Sequence, residues 1–300
     1  MHRRSFLISL ALLAACATAP QPESATAAWV GFESDRISVV VRGQGPDVIL
    51  IPGMTSHRDV WAATADALDD THRVHLVQVN GFAGFPAAGN AEGPVSAPVA
   101  EEIARYIFEE ELERPAIIGH SMGGTIGMML AARHPDAVGK VMVVDMFPFM
   151  GAMFGGADAT PASVTPIADQ IRSQMLAAPP GASMGMVEQM IANMTNTESA
   201  RPTLLQHARD SNRATIANAF HELIVTDLRP ELSNIRAPIT VLYVIPPNAP
   251  IPEAQYDLYL TASYANAPHA RIVKIPDSYH FIMIDAFERF MQEVNAFLAG

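Results

Sequence analysis

From residue 37 onward, short β-branched and apolar runs alternate with stretches whose apolar positions recur every three or four residues. Ile37–Arg42, Asp47–Ile51, Val74–Val79, Ala116–Gly119 and Lys140–Asp145 read as strands. Between them Asp59–Asp69, Val95–Glu113 and Thr125–Arg133 carry helical periodicity. Such alternation predicts a parallel sheet covered by helices on both faces. It stops near residue 146 and resumes with a strand at Ile239–Ile245, a helix, a strand at Arg271–Ile275 and a closing helix at Asp285–Leu298. Residues 151–232 hold helical patterns and no good strand, as a cap inserted between two late strands would. The expected organisation is α/β: a core in two parts, 29–150 and 233–300, with the helical cap 151–232 between them.

Composition sharpens this picture in two places. A chain of 300 residues that is 49% apolar can bury one sizeable core and is not a disordered protein. Its net charge of −12 offers no footprint for a phosphate backbone, so no nucleic-acid partner is expected. Half of its 16 methionines fall between Met146 and Met194. Val187, Met190, Ile191 and Met194 share one helical face, either as a packed stripe or as flexible thioethers lining an adaptable pocket.

Residues 1–28 read as an address and a tether. Arg3 and Arg4 precede the short apolar run Phe6–Ala15, the pattern of a signal peptide and too short for a stable bilayer span. Leu13-Ala14-Ala15-Cys16 resembles a bacterial lipobox, and Cys16 is the single cysteine of the chain. Arg3-Arg4-Ser5-Phe6-Leu7 also resembles a twin-arginine export signal. The expectation is a periplasm-facing envelope protein held to the membrane by an acylated Cys16. A soluble secreted form cleaved near Ala19 is the alternative. One cysteine leaves no intramolecular disulfide and no multi-cysteine zinc site.

The most informative stretch is Pro115-Ala116-Ile117-Ile118-Gly119-His120-Ser121-Met122-Gly123-Gly124, a strand running through Gly-x-Ser-x-Gly into a helix. In such a turn the serine sits in strained geometry, and side chains two residues to either side would collide with neighbouring elements. Gly119 and Gly123 remove those collisions. The turn lifts the Ser121 hydroxyl to the start of a helix, where the amide of Met122 faces the place an oxyanion would form. His120 is expected to pack beside the turn.

With Leu50-Ile51-Pro52-Gly53-Met54 and Asp277-Ser278-Tyr279-His280-Phe281, this motif resembles the α/β-hydrolase superfamily over residues 36–300, in particular its single-chain esterase and carbon–carbon hydrolase branch. The resemblance implies a Ser–His–acid triad in that fold, with the acid between the other two in the chain. The second oxyanion donor is then the amide of Met54, although Pro52 stands where relatives usually carry His. Trp61 resembles the aromatic residue that packs this loop. His280, in a short loop after the last strand, is the expected base, whereas His269 precedes that strand and lies at the wrong edge. The acid is less direct. The loop after Tyr243, where relatives commonly place it, holds Asn248 and no carboxylate before Glu253. Asn248 could orient an imidazole but not offset an imidazolium charge. Asp145, ending its strand after four apolar residues, needs a partner that His280 could supply. Asp277 is expected to brace the His280 loop, and Asp257 to face solvent.

The expected function is a serine hydrolase of an ester or related acyl bond, with Ser121 as nucleophile, His280 as proton shuttle and Asp145 as acid. Neither a cofactor nor a metal is implied. Met146, Phe147, Phe149, Met150, Met153 and Phe154 suggest a small apolar acyl substrate. Acyl transfer or carbon–carbon hydrolysis on the same triad remains open, as does a silent binding protein that keeps the fold. The address makes its own prediction. Cys16→Ser is expected to move the protein from the membrane fraction to soluble or unprocessed forms, since losing all acyl chains removes the anchor. Unchanged partitioning and mobility would refute the lipobox.

Overall fold

The computed structural model describes residues 29–179, 184–246, 249 and 251–300. Cys16 and Asn248 lie outside the described residues. Eight strands form one sheet: β1 (Trp29–Glu33), β2 (Ile37–Arg42), β3 (Asp47–Ile51), β4 (Arg73–Val79), β5 (Ala116–His120), β6 (Lys140–Val144), β7 (Ile239–Tyr243) and β8 (Arg271–Lys274). Their order is β1-β2-β4-β3-β5-β6-β7-β8, antiparallel for the β1–β2 and β2–β4 pairs and parallel throughout the rest. β1 is the strand absent from the pattern reading. It is short, it sits at the edge, and its register slips between Val30 and Phe32. Trp29 pairs with Val41, whose neighbour on β4 is His75, so β1 begins near the amino-terminal end of the parallel strands.

Side chains alternate across a strand, and the core follows that period of two. Ile49, Ile51, Ile117, Val141 and Val143 point to one face, under α2 (Ser96–Glu109) and α3 (Met122–Arg133). Val48, Leu50, Ile118, Met142 and Val144 point to the other, under α1 (Ala62–Leu68) and the last helix (Phe287–Ala299). In that last helix Phe290, Met291, Val294 and Phe297 recur at helical spacing and are buried. Neither face of the central strands reaches water, which explains their unbroken apolar runs.

Between β6 and β7 the described chain is helical: α4 (Ala152–Gly155), α5 (Pro161–Ala177), α6 (Met184–Met194), α7 (Arg201–Asp210) and α8 (Arg213–Val225). α5 begins with a reciprocal cap between Thr160 and Ser163 and with proline at its first position. It packs on α8 around Phe149, Val164, Ala168 and Ile224. α6 turns Ile191 inward with Val187 and Met194 beside it, while Met190 is exposed. The stripe read from the sequence is therefore a packed face with one member turned out. α9 (Glu253–Ser263) lies between β7 and β8, and the short α10 (Ile282–Asp285) precedes the last helix.

The insertion is tied to the core by polar bonds. The α7–α8 junction meets the loop after β4 through Asn212 N–H to the Gly81 carbonyl (2.7 Å), Gly84 N–H to the Asp210 carbonyl (3.1 Å) and Ala83 N–H to Ser211 Oγ (2.8 Å). The buried Glu222 of α8 accepts the amides of Val95 (2.7 Å), Ser96 (2.5 Å) and Ala97 (2.9 Å) at the start of α2. These are amides with no intrahelical acceptor, and a carboxylate also suits the positive end of the helix. Glu222→Ala should therefore lower unfolding free energy by about 1–3 kcal/mol, the cost of stranding buried donors. Urea denaturation measures it, and a loss under about 0.5 kcal/mol, typical of inert surface changes, would contradict this role.

Candidate active site

Strand order fixes where chemistry can sit. β4 and β5 lie on opposite sides of β3, so the crossover direction reverses there and leaves a crevice beyond the carboxyl ends of β3 and β5. Two segments leave the sheet at that point, Pro52-Gly53-Met54 and Ser121.

Ser121 adopts φ 53° and ψ −121°, in the left-handed half of backbone space and strained for a residue with a Cβ. Its N–H donates to the Val144 carbonyl (2.9 Å), and its own carbonyl accepts from Gly124 and Thr125, opening α3. A Cβ at Gly119 would lie 2.1 Å from the Gly123 carbonyl oxygen, and one at Gly123 would lie 2.2 Å from that of Ile51. Those contacts are with backbone, which cannot move aside. The spacing of Gly-x-Ser-x-Gly is thus a packing requirement of this turn. The amides of Met54 and Met122 donate to no other group among the described residues. Met122 opens α3, where an intrahelical acceptor is lacking by construction of the helix.

Asp145 and His280, 135 positions apart, are brought together. His280 Nδ1 lies 2.6 Å from Asp145 Oδ2, while Asp145 Oδ1 accepts the Val244 amide at 3.1 Å. Asp145 ends its strand with φ 54°, and its N–H donates to the Leu242 carbonyl of β7 (2.7 Å). The partly buried carboxylate thus has one oxygen held by backbone and the other on an imidazole.

His120 does more than fill space. It is fully buried, its Nε2–H donates to the His280 carbonyl (3.0 Å), and the two rings are 4.5 Å apart. Burial, reinforced by the neighbouring His280, holds its pKa well below the usual imidazole value, so it is neutral. The bond to a carbonyl places the proton on Nε2 and leaves Nδ1 as a buried acceptor with no partner among the described residues, packed against Gly53. Trp61, also fully buried, stands edge-on to this ring at 6.5 Å and packs on Phe290.

The rival carboxylates are placed elsewhere. Asp257 does not simply face solvent: it accepts Tyr243 OH (2.7 Å) and Lys274 Nζ (2.9 Å), and Lys274 holds its carboxyl below the usual range. Asp277 is exposed, and among the described residues only its carbonyl engages a partner, Asn196 Nδ2 at 2.9 Å. The carboxylate that braces the His280 loop is instead Asp285, which accepts the Tyr279 amide at 3.0 Å. Its other donors come from residues 195–197, too far along the chain for local spacing to reveal. His269 Nε2 lies 3.3 Å from the Ala237 carbonyl, at the opposite end of the sheet.

The apolar set after Asp145 does not form one wall. Met146 and Phe147 join the core, Phe149 packs under α5 and α8, and Met153 and Phe154 are exposed. A largely apolar cleft of about 380 Å³ opens between Val60, Ala63, Leu204, Met283 and Phe287. Neither Ser121, Asp145 nor His280 lines it.

A strained strand–serine–helix turn at the switch point of such a sheet defines the α/β hydrolases. The chain belongs to the alpha/beta hydrolase family, whose model matches residues 48–293. It is similar to the pimeloyl-[acyl-carrier protein] methyl ester esterase of Aeromonas hydrophila, with 29% identity over 85% of this chain and 99% of that one. The Vibrio cholerae protein of the same name shares 29% over 68% of this chain and 76% of its own length. Among solved structures, a hydrolase from Pseudomonas aeruginosa matches with a TM-score of 0.72 at 20% identity, over 92% of this chain and 100% of that one. The enol-lactonase of Burkholderia xenovorans matches at 0.70 and 18%, over 88% and 96%. With relatives named esterases and hydrolases, the chain is an α/β-hydrolase enzyme.

The close approach at Gly123 gives a direct check. Gly123→Ala should lower stability by about 1–3 kcal/mol through overpacking against Ile51. Thermal and urea melts measure it, and wild-type stability would show that the turn tolerates a Cβ.

Proposed function

We propose that the enzyme is a serine hydrolase cleaving a carboxylic ester through Ser121, His280 and Asp145. The observation that carries this reading is the 2.6 Å contact between His280 Nδ1 and Asp145 Oδ2 at the strand ends beside the Ser121 turn. With Nδ1–H given to Asp145, Nε2 of His280 is free to take the Ser121 proton as Oγ attacks the ester carbonyl. The tetrahedral oxyanion is received by the amides of Met54 and Met122. The imidazolium returns its proton to the leaving alcohol, which departs and leaves Ser121 acylated. Water, activated by the same imidazole, then releases the acid and restores the hydroxyl. Asp145 offsets the imidazolium charge in a largely buried site, which an amide at 248 could not do.

The loop after Tyr243 holds no carboxylate before Glu253, which is the one feature that favours a silent binding protein. The pairing of Asp145 with His280 weighs against it. The methyl ester esterases it resembles make small acyl methyl esters the first substrates to try, and a cap formed by 151–232 would select among them. We also propose that Cys16 anchors the enzyme in the bacterial envelope, on the sequence pattern alone.

Fluorophosphonate labelling and p-nitrophenyl esters of graded chain length test the chemistry. Ser121→Ala and His280→Ala should each remove nearly all turnover, because triad members act as a unit. Asp145→Asn should lower turnover by about 10⁴, as an amide does in such triads. Asp277→Asn and Asn248→Ala should stay within about threefold of wild type, being outside the triad. A severe loss at 248 or 277 beside a mild one at 145 would move the acid, and an unlabelled wild type would refute the hydrolase.

A further inference from the structure

The main chain around His280 is held from three sides. Tyr279 N–H donates to Asp285 Oδ2 (3.0 Å), Phe281 N–H donates to the Met194 carbonyl (3.0 Å), and the His280 carbonyl accepts His120 Nε2–H (3.0 Å). Only the bond to Met194 reaches the insertion directly; Asp285, itself in the core, reaches it through its other donors. Met194 ends α6, and Asp285 gathers the three residues that follow it. Its Oδ1 accepts Thr195 Oγ1 (2.5 Å) and Thr197 N–H (3.1 Å), and its Oδ2 accepts Asn196 N–H (3.2 Å). Asn196 Nδ2 adds a bond to the Asp277 carbonyl (2.9 Å).

We propose that Asp285 is a positioning residue that locks the loop bearing His280 to residues 194–197 of the helical insertion. The base is then in register with Asp145 and Ser121 only while that part of the insertion is docked. This rests on the reading of His280 as the general base. Four donors need two acceptor oxygens, and only a carboxylate offers both. An amide presents one oxygen and turns an NH₂ toward the remaining donors. A loop freed in this way moves the imidazole, and displacement of a reacting group by about 1 Å can cost about 10²-fold in rate. Docking of residues 194–197 and placement of the base are thereby linked, with Asp285 carrying most of the bonds.

The test compares Asp285→Asn, Thr195→Val and the double variant in p-nitrophenyl ester hydrolysis, with active sites counted by fluorophosphonate titration. Asp285→Asn should lower kcat per titrated site by about 10–100-fold with KM within about threefold, since misplacement acts on the reacting step. Thr195→Val, which removes one donor and keeps the shape, should lower kcat by about 3–10-fold. The double variant should be no worse than Asp285→Asn alone, because both ends belong to one lock. A carboxylate that merely stabilised the fold would reduce the number of titrated sites and leave kcat per site unchanged. Wild-type kcat in Asp285→Asn overturns the proposal, as do multiplied losses in the double variant. Should Asp285→Asn not fold, wild-type kcat in Thr195→Val overturns it alone. Ester hydrolysis retained by His280→Ala would instead overturn the reading of the base, and the proposal with it.

Discussion

Three stretches of backbone meet where β3 and β5 end, with no room for a single additional methyl group. The carbonyl of Ile51 faces Gly123, the carbonyl of Gly123 faces Gly119, and Gly53 lies against His120 and Ser121. That close approach fixes both candidate oxyanion amides relative to the serine, because the Met54 loop and the first turn of α3 are each half of the same contact. The left-handed backbone of Ser121 is sustained by it, since strain persists only where the surroundings over-determine it. The sheet, with both faces buried, supplies the rigidity beneath.

How much of this was legible in the sequence depends on the range of the interaction. β3 to β7 were readable because a strand buried on both faces is an apolar run with sharp ends, whereas the less buried β2 and β8 were readable from their β-branched residues. β1 was not, since an edge strand of five residues with a register slip carries too little pattern. Ser121 and His280 were legible because the glycine spacing and the late-strand loop are local signals. The contact of Asp145 with His280 was legible less directly, from the expectation that a carboxylate after buried strand residues needs a partner. Asp285 and the bond from His120 were not legible. Their partners lie roughly 90 and 160 positions away, and nothing near them in the chain announces the contact.

Two carboxylates at the junction of the insertion and the core share one character. Glu222 meets the amides that open α2, and Asp285 meets amides and a hydroxyl from residues 195–197 and 279. In each case a carboxylate accepts mainly from backbone amides and from no basic side chain among the described residues. Such contacts demand exact placement of the main chain and forgive little, whereas apolar contacts tolerate sliding. They specify how the helices sit on the sheet, while the apolar clusters supply the bulk of the burial.

The register of β1 has a directional consequence. Trp29 pairs with Val41 and so lies at the amino-terminal end of the parallel strands, whereas Ser121 stands beyond their carboxyl ends. The described chain therefore enters the sheet level with His75 and Ile49 and runs from there toward the end that bears the serine. A surface joined to the amino-terminal end would have the serine aimed away from it, toward molecules arriving from the open side.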